Sequence, residues 1–165
     1  MENAPEQRLS PLVADPRAGC GRPACTCALP LGERFVLWAL RQWQVDRALP
    51  RDGSALHRGF TMAGLIAALP DFAIAMDAFF FGVRRSLEIH QPTCSAVSHD
   101  EATLVALCAL AQVDCSGPLV ASLDRMMAPT ASRVAAERLK IFAAALANAG
   151  LRLAPWPREA VGRLQ

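Results

Sequence analysis

"DFAIAMDAFFFGVRRSLEIHQPTCSAVSHDEATLVALCALAQ", residues 71–112, holds the pattern that decides the fold. Phe72, Met76, Phe79, Val83 and Leu87 recur at helical spacing, and Ile74, Phe80 and Phe81 widen this apolar stripe almost around the circumference. The spacing predicts a helix from about Asp71, whose carboxylate can cap it, to about His90. So wide a stripe marks it as the central, most buried helix. Following the stripe puts His90 on the last turn, pointing toward the protein. Pro92 prevents the helix from continuing. Ser98-His99-Asp100-Glu101 then reads as a capping box that opens a further helix with Leu104, Leu107, Cys108 and Ala111 on its inner face. Cys94 falls in the short loop between two helix ends, while Cys108 reads as a small core residue.

Working outward, "GERFVLWALRQWQVDRAL", residues 32–49, places Val36, Leu40, Trp43 and Arg47 on one line with Phe35, Trp38 and Ala39 beside it, a helix of about four turns. "RDGSAL" breaks it, and a second helix runs from about Ser54 to Leu69, where Pro70 stops it. Downstream, a short helix spans Gly117 or Pro118 to about Met127. A long one follows "APTAS" with Ala135, Leu139, Phe142, Leu146 and Ala149 on its stripe and Gly150 at its end. Leu151, Leu153 and Trp156 can lie back across the bundle. Strand-like alternation and internal repeats are absent from the pattern. The expectation is all-α: a single bundle of about five to six helices over residues 31–150, preceded by an irregular Cys/Pro-rich arm, 1–30. A C-terminal tail, 151–165, packs on the bundle or leaves it.

Composition bounds the function. The 165 residues are 53% hydrophobic and 19% charged with a net charge of +2, which describes one globular domain rather than a disordered chain. Arg outnumbers Lys sixteen to one, but acids are interspersed and the longest basic run is Arg84-Arg85, so nucleic acid is not expected as a partner. The opening "MENAPEQRLSPLVADPR" lacks the basic start and apolar core of an export signal. The apolar run Met62 to Val83 is broken by Pro70, Asp71 and Asp77, and an Asp at the centre of a membrane span costs about 2.5–3.5 kcal/mol. The reading is a cytoplasmic protein without a membrane segment, whose six cysteines are not first read as disulfides.

Dinucleotide, P-loop, zincin and di-iron spacings are all missing, and nothing positive argues for catalysis. What remains is "CGRPACTC", residues 20–27, together with the loop after the long apolar stripe. Cys20, Cys25 and Cys27 offer three soft sulfur ligands, and His90 and Cys94 add a nitrogen and a sulfur. Zn2+ takes four such donors, and an iron–sulfur cluster takes four cysteines or three with a histidine, so either could staple the arm to the bundle. This reading expects the sulfurs of Cys25, Cys27 and Cys94 and the His90 ring to converge, with Cys20 the outermost member. Three readings compete with it. His90 can serve as a hydrogen-bonded residue at a helix C-terminus. The cysteines can stay unmetalled in a helical interaction module. Or the CxC pair can do thiol–disulfide chemistry, with Cys94 as a resolving thiol and a cation such as Arg22 stabilising a thiolate.

The stretches "HQPTCSAVSHDEATLVALCALAQ" and "GERFVLWALRQW" together resemble a family of small, uncharacterised bacterial helical proteins in which His, Pro and Cys precede an acidic helix start. The family pattern has a second cysteine where this chain has Ala96. The resemblance implies helices and a cysteine site, and no particular activity. The functional expectation is a small accessory protein with a Cys/His metal site and an apolar surface for a protein partner or a second copy of itself. The alternative is a thiol-based redox enzyme or sensor.

Overall fold

The computed structural model describes residues 25–47, 54–114 and 116–154. They form a packed bundle of six α-helices: α1 (Leu31–Asp46), α2 (Ala55–Met62), α3 (Leu69–Gly82), α4 (His99–Gln112), α5 (Ser116–Met126) and α6 (Pro129–Asn148). Two 3₁₀ turns, Thr26–Ala28 and Ile66–Ala68, precede α1 and α3. Among the described residues there is no β-strand, only the isolated antiparallel bridges Cys25–Ala96 and Val83–Met127. None of these helices is long and apolar enough to cross a membrane.

The helix expected over residues 54–69 is two elements. Gly64 adopts φ +69°, a left-handed conformation that costs glycine little, and α2 ends there. The amide of Leu65 donates to the Phe60 carbonyl and that of Gly64 to the Thr61 carbonyl, which satisfies the last carbonyls of the helix. The same closure recurs after α6, where Gly150 takes φ +78° and the Leu151 amide reaches Leu146. Beyond it residues 151–154 lie back on the bundle. Leu153 is buried, and Gln112 of α4 holds the tail through the Leu151 carbonyl and the Leu153 amide. Trp156 lies outside the described residues.

α3 is shorter than its apolar stripe. The helix ends at Gly82, and Val83 turns extended (φ −71°, ψ 147°) to bridge to Met127, with the Arg84 amide donating to the Met126 carbonyl. Residues 83–98 run as a loop, so Val83, Leu87 and His90 do not share a helical face with Phe72 and Phe79. Val83, Leu87 and Phe80 are half-buried against the core rather than within it. Asp71 is not the cap, since Ala68 occupies that position; Asp71 sits in the first turn and pairs with Arg138 of α6 at 2.8 Å.

Nor is α3 the most buried helix. Four of its fourteen residues are buried, against ten of fourteen in α4. α4 packs against α1, α5 and α6, and its Ala, Val and Cys side chains allow neighbours on nearly every side. The core is anchored by Phe60, Phe72 and Phe142, fully buried rings from α2, α3 and α6 whose centroids lie 5.0–6.0 Å apart. Phe79, Met76, Leu104, Leu107 and Leu146 are buried as the sequence predicts. Cys108 is also in the core, and burial pushes its thiol pKa up to about 12.

Candidate functional site: a paired-cysteine turn beside an arginine-floored cleft

A loop as long as residues 83–98 leaves many backbone groups to satisfy, and the N-terminus of α4 satisfies them. Ser98 and Glu101 form the expected capping box: the Ser98 hydroxyl accepts from the Glu101 amide at 3.1 Å, and the Ser98 amide donates to Glu101 at 2.9 Å. Glu101 then accepts from the His90 amide at 3.0 Å, and Asp100 from the Glu88 amide at 2.8 Å. The two carboxylates at this positive helix end thus do for the loop what a continued α3 would have done within itself.

Each carboxylate carries an arginine. Arg85 grips Asp100 with two hydrogen bonds at the edge of the bundle. Arg41 of α1 is fully inside: it donates to Glu101 at 2.7 and 2.9 Å and to the carbonyls of Cys94 at 2.5 Å and Ala96 at 2.6 Å. Burial opposes ionisation of Glu101, but the Arg41 guanidinium and the Ser98 and His90 amides outweigh it and hold the carboxyl below its usual range. Asp100 is held low in the same way, burial being overcome by Arg85 and the Glu88 amide. The Arg41–Glu101 pair was not read from the sequence, which placed Arg47 on the inner line of α1. Arg47 is instead exposed and lies over the Trp43 and Phe80 rings at 4.7 and 4.4 Å. The available signal was an arginine set between Leu40 and Trp43 and four residues after Leu37, among apolar neighbours.

Onto this braced loop the chain at Cys25 and Thr26 is fastened by its backbone. Cys25 bridges to Ala96, and the Thr26 amide donates to the Ser95 carbonyl at 2.9 Å. Continued by two residues, that antiparallel register would set Cys27 against Cys94; the 3₁₀ turn at Thr26–Ala28 leads the chain away first. The turn folds Cys27 back onto Cys25, and their sulfurs lie 2.6 Å apart. His90 keeps its own company: its Nδ1 lies 3.2 Å from the Ala96 carbonyl and 3.5 Å from Glu101, and its Nε2 lies 3.4 Å from Glu88. Among the described residues no three His, Cys, Asp or Glu side chains gather into a metal-binding group. The four-donor convergence of Cys25, Cys27, Cys94 and His90 is therefore not assembled by these side chains. Cys20, Arg22 and Cys115 lie outside the described residues.

The two close sulfurs are not equivalent. The Cys27 side chain and then its amide hold the Cys25 thiol below the ordinary cysteine range, whereas hydrogen bonding to Cys25 pushes the Cys27 thiol up. Of the two, Cys25 is therefore the more readily ionised. Beside them opens a cleft of about 470 Å³, lined by Thr26, Cys27, Leu31, Phe35, Trp38 and Pro92 among others, with Arg41 at its floor and Arg34 on its wall. Gly59 of α2 seats Trp38 there: a Cβ at Gly59 would stand 2.0 Å from the indole.

Fold and site together define a six-helix bundle that displays an adjacent pair of unlike thiols at a cleft. Comparison with family models, curated proteins and solved structures finds no match.

Proposed function

We propose that the chain is a thiol–disulfide exchange protein in which Cys25 and Cys27 cycle between dithiol and disulfide against a disulfide of a protein or small-molecule partner. The observation that carries the reading is the 2.6 Å approach of two accessible sulfurs whose pKa values are driven in opposite directions. The Cys25 thiolate attacks one sulfur of the partner's disulfide, that bond breaks, and the departing sulfur takes a proton from water. Cys27 then gives up its proton and attacks the Cys25 sulfur, which releases the partner's second thiolate. Two electrons pass from the pair to the partner, and the partner's disulfide is the oxidant.

The test is equilibration of the protein in graded thiol–disulfide buffers, read by mass spectrometry of the peptide that contains both cysteines. Reversible loss of two hydrogens in that peptide is expected, and Cys25→Ser abolishes it. A pair that stays reduced through buffers that fully oxidise a small dithiol overturns the proposal.

A metal staple is the second reading, favoured by the fastening of the arm beside Cys94, where a soft ion on Cys25 and Cys27 could recruit a further sulfur. Zinc or iron at one equivalent in protein purified without chelator, with Cys94→Ser exposing the arm to protease, supports it. Metal-free protein with an equally protected arm removes it.

A further inference from the structure

The cleft beside Cys27 has the composition of a binding site for the group attached to the attacked sulfur. Its volume, about 470 Å³, lies within the range of small-ligand sites. Leu31, Phe35, Trp38 and Pro92 give it an apolar wall, and Leu31 is left 68% exposed, a large side chain with no cover among the described residues. Two charged side chains line it, and they differ in kind. Arg41 is buried with its donors spent on Glu101 and on two carbonyls. Arg34 is exposed, and among the described residues no carboxylate pairs with it. Its charge also reaches Cys27. A cation held beside an aromatic wall, within reach of a reactive thiol pair, complements a flat or apolar group that carries a carboxylate.

We infer that this cleft selects disulfides whose thiol half is acidic and apolar, the carboxylate meeting Arg34 and the apolar part lying against Trp38 and Phe35. The inference rests on the dithiol reading above. Trp38 is positioned independently of any ligand, because Phe35 packs on it at 5.8 Å and Gly59 leaves it room. Only the Arg34 side chain and the ligand need to be ordered on binding.

The test compares second-order rates of the full chain with two aromatic disulfides of different charge, the dianionic 5,5′-dithiobis(2-nitrobenzoate) and the neutral 2,2′-dipyridyl disulfide. Each rate is divided by that of a free peptide of sequence PACTCALP, which removes intrinsic reactivity. The expected result is a normalised preference of about tenfold for the dianion that weakens with salt. Arg34→Gln should lose that preference, its rate with the dianion falling about tenfold relative to its rate with the neutral disulfide. The unreactive thioether 5-(methylthio)-2-nitrobenzoate should slow the wild type and not Arg34→Gln. Equal normalised rates for the two disulfides, or an Arg34→Gln effect that is the same on both, overturn the cleft inference and leave the dithiol reading standing. Normalised rates near one, with no intramolecular disulfide formed after either reagent, overturn both. Because Arg34 is exposed, the variant keeps the fold, and Trp38→Ala provides a second check by slowing both aromatic reagents more than it slows cystamine.

Discussion

At the scale of single residues, the centre of the molecule is Glu101, one carboxylate that caps α4, neutralises Arg41 and receives the His90 and Ser98 amides. Removing its charge leaves Arg41 buried without a counter-ion, so Glu101→Gln should cost about 3–5 kcal/mol in chemical denaturation at pH 7. The pH dependence follows from the direction of the shifts. Glu101 and Asp100 are held below their ordinary values of 4.5 and 3.8, so the stability they contribute is fully present above those values. It is lost as pH falls through the lower folded-state values. Wild-type denaturation midpoints should therefore drop steeply below pH 4.5, and those of Glu101→Gln less steeply; parallel curves would show that Glu101 is not the titrating link. Cys108 serves as an internal control in any thiol measurement, since a pKa of about 12 and complete burial make it inert until the chain unfolds.

At the scale of elements, the question is how α1 and α2 are held so that Trp38 presents its ring to the cleft. Gly59 of α2 lies against Trp38 of α1, and any side chain there meets the indole. Gly59→Ala should cost about 1–3 kcal/mol by overpacking and should change the near-ultraviolet dichroism of the tryptophans. An unchanged spectrum with wild-type stability would mean that Trp38 does not rest on α2. The lengths of α2 and α3 show how far periodicity carries. Apolar residues continue at helical spacing through Val83 and Leu87, but Gly82 and the extended Val83 let the backbone pair with Met127, and α4 supplies carboxylates for the amides so freed. An apolar stripe reports which side chains face inward, and both a helix and a loop laid along a core can meet that demand.

At the scale of the whole molecule, three rings from α2, α3 and α6 tie the bundle together, and none of the three is exposed. Phe142→Ala should cost about 3–5 kcal/mol, with a single cooperative unfolding transition retained. Phe81→Ala, on a side chain 77% exposed, should change stability by less than about 0.5 kcal/mol. A two-step transition in Phe142→Ala would divide the bundle into separately folding parts.

Amino-acid order alone determined the helical class, the capping box at Ser98 and Glu101, the helix stop at Gly150 and the burial of Cys108. Each of these depends on neighbours within a turn or two, where spacing and side-chain chemistry act directly. The resting place of His90, the end of α3 at Gly82 and the pairing of Arg41 with Glu101 sixty residues away were decided by tertiary structure. In each case two local solutions were open to the chain. The one adopted satisfies buried backbone amides and a buried charge with groups from a distant segment.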